Sequence, residues 1–302
     1  MGHVPVLLQE VLDGLAFGKS DKIFLDATVG AAGHSLAICE QFPYLEILGL
    51  DADEEAVALA QENLLEKGCR FRLGVGNFRE LEKTLRDWQV HEIDKALFDL
   101  GMSTMQLETS GRGFSFRKDE PLIMTFGRDW KNKLTAFEII NHWPKSEIER
   151  ILREYGEESA AKRITEALVR QRKAGPIRTT SELVKVIEEV SGRRGRRHPA
   201  TKSFQALRMI VNDELSALKD GLEGLWRRLK EGGRVAVISF HSLEDRIVKN
   251  FFRDLKKEGK VNLVTKKPIR PTREEISLNP RSRSAKLRVA EKIGKNNGKK
   301  TL

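Results

Sequence analysis

Two segments near the N-terminus have the composition of a cofactor site. Gly30-Ala-Ala-Gly33 lies between a short apolar run and a helical segment, where glycines let the backbone approach a ligand at a helix N-terminus. Asp51 ends the next apolar run, where a carboxylate can accept hydrogen bonds from both ribose hydroxyls of an adenosine-type cofactor. A Gly-x-x-Gly turn alone is as often structural, but together with Asp51 it favours a nucleotide-like cofactor. The full G-x-G-x-x-G fingerprint is missing, which disfavours a nicotinamide oxidoreductase.

The cysteines and histidines give no sign of a metal centre. Only Cys39 and Cys69 are present, too few for a four-ligand zinc site or a disulfide framework. No group of His, Cys and acidic residues has the spacing of metal ligands. The sequence therefore predicts no metal, and it predicts two reduced thiols that pack in a cytosolic protein.

The candidate cofactor residues stand at the ends of short apolar runs that alternate with helical segments. This alternation is typical of βαβ units and a parallel sheet. After the second run, Asp53 suits a helix N-cap and Gly68 suits the end of that helix. The runs predict an α/β fold with a seven-stranded, mostly parallel sheet and a C-terminal antiparallel element, as in class I (Rossmann-like) methyltransferases. The predicted strands are Ile23–Thr28, Glu46–Asp51, Arg70–Leu73, Lys95–Leu100, Arg234–Phe240, Val261–Lys266 and Lys286–Ile293.

From about residue 105 to 230 the pattern is helical. Three pairs have the spacing of capping boxes: Thr135 with Glu138, Ser146 with Glu149, and Thr179 with Glu182. An apolar stripe at helical spacing runs from Phe204 to Leu229 and indicates core packing. Gly232-Gly233 is expected to end that helical stretch. The predicted sheet domain is therefore interrupted by a helical insertion, with segments of residues 1–104, 105–215 and 216–302.

The charge balance indicates an anionic partner. The 302 residues include 54 Lys and Arg against 44 Asp and Glu, a formal net charge of +10, which favours nucleic acid before a membrane. No apolar stretch approaches the roughly 20 residues of a membrane span, and the N-terminus lacks the features of a signal peptide, so we expect a cytoplasmic protein. The densest basic run is expected to contact phosphate, with a solvated loop as the alternative. That run comprises Arg193, Arg194, Arg196, Arg197, His198 and Lys202.

Several longer motifs are specific enough to indicate a family. They are His3-Val-Pro-Val-Leu-Leu8, Asp26-Ala-Thr-Val-Gly-Ala-Ala-Gly-His-Ser35, Asp99-Leu-Gly-Met-Ser-Thr-Met-Gln-Leu107, Arg112-Gly-Phe-Ser-Phe116, His198-Pro-Ala-Thr-Lys-Ser-Phe-Gln-Ala-Leu-Arg208, Ser239-Phe-His-Ser-Leu-Glu-Asp-Arg246 and Asn279-Pro-Arg-Ser-Arg-Ser284. With these motifs in family order over nearly the whole chain, the sequence resembles the RsmH (MraW) family.

The resemblance implies a function, a cofactor and a set of site residues. The family transfers a methyl group from S-adenosylmethionine (SAM) to N4 of a cytosine in the decoding centre of 16S rRNA, near the P site. The helical insertion would then recognise RNA, and 16S rRNA in the small ribosomal subunit would be the partner. The sequence leaves open whether the chain forms a homodimer. By the same resemblance, the cofactor contacts are Ala32, Gly33 and His34 at its amino-acid end, Asp51 on the ribose, Phe78 beside the adenine, and Asp99 and Gln106 along the wall.

The sequence departs from the family pattern at three places. The usual Gly-Gly-His is Ala32-Gly33-His34 here, which adds a methyl group where backbone and cofactor approach. The usual Pro-Leu-Asp-Met-Arg-Met has Ile123 in place of the acid and Thr125 in place of the arginine. The usual Gly-Thr after the first strand is Ala27-Thr28, a minor change. The second departure puts an ion pair or a substrate contact in doubt.

Asp99 and His241 are the candidate catalytic residues. Cytosine N4 is a poor nucleophile because its lone pair is delocalised into the ring, so a transferase must accept hydrogen bonds from the amino group and align it behind the methyl group. Asp99 is expected to contact this amino group or the cofactor, with a cofactor-only or structural role as an equal alternative. His241 is expected to orient the base, with a packed histidine as its alternative. Phe114 and Phe116 are candidates for stacking on the target base, and core packing is the alternative for both.

Two other functions remain open from the sequence. A methyltransferase acting on DNA, protein or a small molecule would have the same cofactor site. A non-catalytic ribosome-assembly factor that retains the fold is suggested by Ile123 and Thr125. The prediction adopted is an rRNA cytosine-N4 methyltransferase.

Overall fold

The computed structural model describes residues 5–127, 133–191 and 198–294. The chain divides into two compact units, one of Met1–Gly101 with Leu215–Leu302 and one of Met102–Glu214. We call the first the sheet unit and the second the helical unit. Within the described ranges, every helix falls short of the length or the apolar character that a membrane crossing requires.

One sheet of seven strands forms the centre of the sheet unit. The strands follow the order β3-β2-β1-β4-β5-β7-β6, and β7 is antiparallel to both of its neighbours while the others pair in parallel. This arrangement confirms the predicted class I methyltransferase fold. The strands are β1 Ile23–Asp26, β2 Glu46–Asp51, β3 Arg70–Val75, β4 Ile93–Asp99, β5 Leu229–Ser239, β6 Val261–Leu263 and β7 Lys286–Lys292.

Helices flank the sheet and make up most of the helical unit. Those of the sheet unit are α1 Leu8–Leu15, α2 Gly33–Gln41, α3 Glu54–Glu66, α4 Leu81–Asp87, α11 Glu214–Arg228, α12 Ser242–Lys257 and α13 Arg273–Leu278. Those of the helical unit are α5 Thr104–Glu108, α6 Ala136–His142, α7 Lys145–Glu154, α8 Ala161–Ala174, α9 Thr180–Ser191 and α10 Thr201–Val211. As predicted, Asp53 caps α3, its side chain accepting a hydrogen bond from the Glu55 N–H at 3.2 Å.

Successive side chains of the central strands enter two different apolar cores. Phe24 and Leu97 belong to the core that includes α1, α2 and α3, whereas their neighbours Leu25 and Phe98 belong to the core that includes α4, α11 and α12. All four side chains are fully buried. Because side chains alternate between the faces of a strand, burial on both faces holds the strand ends firmly in place.

The helical unit packs α6 to α10 around a core of its own. Ile139, Ile151, Ile164, Leu183 and Leu207 are all at most 1% exposed within it. Two of the three predicted caps are confirmed, since Thr135 accepts a hydrogen bond from the Glu138 N–H and Thr179 accepts one from the Glu182 N–H. The cap predicted at Ser146 is wrong: α7 begins at Lys145, after the N-cap residue Pro144, which is two residues before Ser146.

The long apolar stripe is divided between two helices. Asp213 adopts a left-handed conformation (φ 46°), and Asn212 beside it binds the 121–126 segment, donating to Met124 O and accepting from the Phe126 N–H, both at 2.8 Å. These contacts end α10 although the apolar spacing continues.

The expectation that Gly232-Gly233 ends this helical stretch is also wrong. Helix α11 ends at Arg228, and β5 begins at once with Leu229. The glycines lie inside β5, where its pairing with β4 jumps from Ile93 opposite Leu229 to Lys95 opposite Arg234. Gly232 has φ 77°, so the pair accommodates a bulge in the strand.

The prediction of two reduced thiols is wrong as well. Cys39 near the end of α2 and Cys69 just before β3 form a disulfide bond, with their Cα atoms 5.9 Å apart. Helix α3 and its flanking loops return the chain to α2, which brings together two cysteines separated by 30 residues. Two isolated cysteines at this spacing carry no pairing signal in the sequence.

We expect this disulfide to stabilise the sheet unit measurably. Closing a loop of this length restricts the unfolded chain, so the double variant Cys39→Ser/Cys69→Ser should lose about 2–4 kcal/mol of unfolding free energy. Denaturant unfolding with and without dithiothreitol measures the effect. The reductant should lower the wild-type midpoint and leave the variant unchanged. Two titratable thiols in unfolded protein prepared without reductant would contradict the bond.

Candidate active site

The carboxyl ends of four strands form one edge of the sheet, which we call the site edge. Asp26, Asp51, Asp99 and Ser239 are the last residues of β1, β2, β4 and β5. The strand order reverses between β1 and β4, and ligands of open α/β sheets bind in the crevice at such a point. Three carboxyl groups therefore stand where the fold places a ligand.

The loop between β1 and α2 bends tightly along this edge. Val29 N–H donates to Leu50 O at 2.8 Å, and Gly30 and Ala32 both have left-handed backbones, with φ 51° and 65°. This conformation costs an alanine about 1–2 kcal/mol and a glycine almost nothing. A glycine at position 32 in the resembled family is therefore physically expected. At Gly33 a Cβ atom would lie 2.9 Å from Pro5 Cγ, so the close approach requires glycine there.

Asp51 presents a carboxylate to this loop. Its Oδ2 accepts a hydrogen bond from the Gly30 N–H and its Oδ1 accepts one from the Asp53 N–H, each at 3.0 Å. Burial raises the pKa of Asp51 to about 6, and these N–H donors oppose the rise. The group is therefore ionised at neutral pH, and each oxygen keeps a lone pair that can accept from a hydroxyl group.

His34 and Asp99 face each other across a narrow gap. The ring of His34 is buried, with Nε2 3.0 Å from Val6 O and Nδ1 3.7 Å from Asp99 Oδ2. Burial lowers the pKa of His34 against the opposing attraction of Asp26, so the ring is neutral and its proton lies on Nε2, toward the carbonyl. Nδ1 is then an acceptor, like the carboxylate opposite. Two acceptors separated by this distance suit an N–H donor such as an amino group.

Asp26, Thr28 and Ser35 hold these groups in place. Asp26 is buried and accepts hydrogen bonds from Ser35 Oγ at 2.7 Å and from the Thr28 N–H at 3.2 Å. Burial raises the pKa of Asp26 to about 6. Thr28 Oγ1 in turn accepts from the Asp99 N–H at 2.7 Å, which ties the ends of β1 and β4 together. The sequence reasoning did not select Thr28 or Ser35, although both lie in the quoted motif that begins at Asp26.

Phe78 lies in a short 3₁₀ turn just after β3. Its ring meets Phe98 edge-on at 5.5 Å, and a Cβ atom on Gly221 would lie 2.8 Å from it. The side chain therefore packs between β4 and α11 and is only partly exposed.

Phe240 is an aromatic residue of the site edge that the sequence reasoning quoted without giving it a role. A Cβ atom on Gly101 would lie 2.8 Å from the Phe240 ring edge and 3.4 Å from Asp99 Oδ1. The ring and the carboxylate thus both lie close to one point, and the missing side chain of Gly101 keeps that point open. Gly101 N–H also donates to Asp99 Oδ1 at 3.4 Å. The sequence did contain a signal for this residue, since Phe240 is aromatic and comes directly after β5, the strand that pairs with β4.

His241 caps helix α12. Its Nδ1 accepts a hydrogen bond from the Glu244 N–H at 3.3 Å, while the Glu244 carboxylate accepts from the Phe240 and His241 N–H groups. His241 Nε2 lies 3.0 Å from Glu244 Oε1. In the structure the His241 ring is thus packed and hydrogen-bonded, as the alternative expected. Its catalytic role stays a prediction.

Gln106 and the second departure from the family pattern, Ile123 with Thr125, belong to the helical unit. Gln106 is 7% exposed, and its Oε1 accepts from the Ser103 N–H at 3.1 Å. Thr125 is buried and donates to Gly127 O at 2.9 Å. Ile123 and Thr135 help to line a cavity of about 520 Å³ within this unit. These contacts do not test the cofactor role of Gln106, which stays a prediction.

The residues expected to bind RNA divide into two groups. Arg193, Arg194, Arg196 and Arg197 lie outside the described residues. The other two have partners within the helical unit. His198 stacks on Phe116 with ring centroids 4.4 Å apart and lies 3.4 Å from Glu188, and Lys202 Nζ donates to Glu157 O at 2.7 Å.

The two phenylalanines proposed to stack on the base belong to the core of the helical unit. Phe114 is 6% exposed and stacks on Phe126, with ring centroids 5.7 Å apart. Phe116 packs against Phe204 as well as His198. Core packing thus describes Phe114, whereas Phe116 is partly exposed and packs against that core, so its stacking role stays a prediction.

The structure therefore brings together the predicted residues of the sheet unit. Ala32, Gly33, His34, Asp51 and Asp99 stand along the site edge, and Phe78 follows the strand next to β2. The arrangement offers a left-handed glycine loop, a carboxylate beside it and a pair of acceptors for an amino group. These features suit a nucleoside ligand that also carries an amino group.

Comparisons of the sequence with known proteins agree on one family. The sequence model described as the MraW methylase family matches residues 1–293. The protein named Ribosomal RNA small subunit methyltransferase H of Persephonella marina is 47% identical over 96% of this chain and 99% of its own length. Its namesake from a Sulfurihydrogenibium species is 44% identical over the same shares. A solved structure, a methyltransferase of Streptococcus mutans in complex with SAH, aligns over 96% of this chain and 100% of that one, with 12% identity and a TM-score of 0.48.

Proposed function

The chain belongs to the MraW methylase family, and we propose that it transfers the methyl group of SAM to N4 of a cytosine in 16S rRNA, in the decoding centre near the P site. The substrate is the assembled small subunit, and the reaction takes place in the cytoplasm. The facing acceptors His34 Nδ1 and Asp99 Oδ2 at the site edge are the observation that supports an amino group as the methyl acceptor. The names of the relatives support small-subunit rRNA as the molecule that carries it.

The side chains of the site edge fit SAM. Asp51 has lone pairs for the two ribose hydroxyls beside the Gly30 turn, and the loop of Ala32 and Gly33 brings backbone close to the ligand. Phe78 comes just after β3, which pairs with β2, the strand that ends at Asp51. An adenine joined to a ribose at Asp51 would extend toward Phe78. When bound, SAM supplies a methyl group on a positively charged sulfur.

Two amino groups compete for the acceptor pair of His34 and Asp99: that of the cofactor and N4 of the cytosine. We assign Asp99 Oδ2 to N4. Bound SAM would supply the methyl group for the new bond to N4, its sulfur would keep the electron pair of the broken carbon–sulfur bond, and one N4 proton would pass to solvent. A carboxylate that accepts a hydrogen from this group stabilises the positive charge that develops on N4. The hydrogen bond from the Asp99 N–H to Thr28 Oγ1 keeps the end of β4 in place for this contact.

Methylation of small subunits from cells that lack the modification tests the proposal. Protein, methyl-labelled SAM and these subunits are incubated beside naked 16S rRNA and duplex DNA, followed by nucleoside mass spectrometry. N4-methylcytidine on the subunit supports the proposal and shows that Ile123 and Thr125 are compatible with activity. Particle binding without transfer would instead mean an assembly factor, and label in another acceptor would mean another substrate.

The target base is expected to stack on the face of the Phe240 ring, whose edge lies beside Gly101. Stacking on an aromatic ring is worth about 1–3 kcal/mol per base, so Phe240→Ala should lower kcat/KM for rRNA by about tenfold or more. The dissociation constant for SAM should stay close to that of the wild type. Phe240→Trp, which keeps a ring, should retain most of the activity. Equal activity of the alanine variant and the wild type would remove Phe240 from the substrate site.

The helical unit is proposed to recognise RNA, with Gln106 completing the wall of the cofactor site. The basic run that includes Arg193 and Arg197 is proposed to contact phosphate, because it is the densest positive segment of the chain. His198 and Lys202 are the members of that set already engaged within the unit.

A further inference from the structure

Helix α12 has a continuous row of basic side chains on its outer face. Arg246, Lys249, Arg253, Lys256 and Lys257 are all exposed, and we call them the α12 stripe. Their spacings of three and four residues place them along one side of the helix, about 5–6 Å from one to the next. The row extends over about 16 Å, at 1.5 Å per residue.

The opposite face of the helix explains how the stripe is held. Val248, Phe252 and Leu255 are buried in the core of the sheet unit. The capping box of His241 and Glu244 fixes the first turn. The stripe is thus presented on a rigid element, with its first member one turn into α12 and its last at the C-terminus.

Few acidic groups neutralise the stripe. Asp254 is shared by Arg253 and Lys257, whose Nε and Nζ lie 3.3 and 2.9 Å from the same carboxylate oxygen. Asp245 instead binds Lys286 and Arg288 of β7, at 3.3 and 2.7 Å. Glu258, just after the helix, is paired with Lys260 at 2.6 Å. One carboxylate shared by Arg253 and Lys257 therefore leaves an excess of positive charge on this part of the helix.

Two members of the stripe stand out as available to a partner. Among the described residues, neither Lys249 nor Lys256 has an acidic group within ion-pair distance. A regular row of cations on a straight helix matches a regular row of anions, and the phosphates of a nucleic acid are such a row.

The start of the stripe near the site edge indicates that it binds the same nucleic acid as the site. Helix α12 begins three residues after Ser239, the last residue of β5 at the site edge, and the stripe leads away from that edge. Asp245, the residue before Arg246, binds Lys286, which is paired with Ser239, so the stripe begins near the site edge. We propose that the α12 stripe binds the phosphate backbone of the rRNA beside the target nucleotide. This inference rests on the proposed function, since it takes rRNA as the substrate.

A pair of matched double variants tests the proposal. Lys249→Gln/Lys256→Gln removes two charges from the stripe. Lys83→Gln/Arg86→Gln removes two charges from exposed positions on α4, a helix in the same core of the sheet unit. Both variants change the net charge equally, so a difference between them reports position rather than total charge. Binding to 16S rRNA in assembled small subunits is measured over a series of salt concentrations.

The stripe variant should bind 16S rRNA about tenfold more weakly, and the slope of log affinity against log salt should fall by roughly one per lysine. The α4 variant should change neither value appreciably, and both should bind SAM like the wild type. Lys249→Arg/Lys256→Arg should restore affinity because it keeps the charges. Equal losses in the two Gln variants, or none in the stripe variant, would overturn the proposal.

Two further outcomes separate this proposal from its premise. If the wild type neither binds nor methylates small-subunit rRNA in the same assays, the proposed function itself fails. Phosphatidylglycerol vesicles serve as a second anionic probe. If the stripe variant loses binding to these vesicles while its affinity for rRNA is unchanged, the partner of the stripe is a membrane surface and the RNA proposal is wrong.

Discussion

Asp99→Ala is expected to slow methyl transfer to small-subunit rRNA by about 100- to 1000-fold, the usual cost of removing one preorganised polar group from a transition state. The carboxylate ends β4, with its N–H fixed to Thr28 Oγ1 and its Oδ2 3.7 Å from His34 Nδ1. Alanine removes the acceptor for N4 and leaves the backbone hydrogen bond to Thr28. Single-turnover transfer from methyl-labelled SAM measures the rate, and calorimetry measures SAM affinity, which should change little.

A matched variant at the other end of the same strand provides the control. Asp94 accepts hydrogen bonds from the N–H groups of Lys22 and Ile23, at 2.8 and 3.0 Å, and binds Lys230. Asp94→Ala should therefore lower stability without changing the rate per folded molecule. If Asp99→Ala loses SAM affinity in proportion to its loss of transfer, the carboxylate holds the cofactor and its assignment to N4 is wrong.

The sequence predicted the sheet well because local pattern and tertiary packing agree there. All seven strands form within a few residues of their predicted places, and Asp51 and Asp99 end their strands as expected. A buried parallel strand needs a short apolar run, and its polar last residue marks the edge where the ligand lies. The pattern that specifies the fold therefore also locates the site.

The predictions failed where contacts distant in sequence decide the structure. Apolar spacing continues through Asn212 and Asp213, but side-chain hydrogen bonds to the 121–126 segment end the helix there. The pairing of Cys39 with Cys69 depends on the return of the chain through α3. The approach of Phe240 to Gly101 depends on the pairing of β4 with β5. The residues next to these positions in the sequence therefore give no sign of either contact.

Asp51→Asn is expected to weaken SAM binding by roughly 10- to 100-fold, since hydrogen bonds to a charged group are worth about 1.5–3 kcal/mol. The ligand-free variant should nevertheless be no less stable than the wild type near neutral pH. Burial raises the pKa of Asp51 to about 6, which means that folding disfavours its ionised form. Asparagine carries no charge and therefore avoids this penalty. The gain compensates for one lost hydrogen bond, because the amide NH₂ group cannot accept from one of the two N–H groups that bind Asp51.

The pH dependence of stability gives this variant a distinctive signature. The ordinary pKa of an aspartate is 3.8, so between that value and about 6 the folded state holds more protons at Asp51 than the unfolded state. Asp51 should therefore contribute a fall in the unfolding free energy of the ligand-free wild type as pH rises from about 4 to about 6, with no further change above that. Asp26, whose pKa is also raised to about 6, contributes a fall of the same sign. The unfolding free energy of Asp51→Asn minus that of the wild type should therefore increase over this pH range, since only the Asp51 contribution is removed.

SAM binding should depend on pH in the opposite direction, because only the ionised Asp51 can accept from both ribose hydroxyls. Wild-type affinity should rise as pH increases through about 6, whereas Asp51→Asn should show a weaker dependence at a lower affinity. Calorimetric titration and denaturant unfolding over the same pH series measure both quantities. The two trends oppose each other because the ligand, and not the fold, stabilises this buried charge. Wild-type affinity and pH dependence in the variant would exclude Asp51 as the ribose acceptor.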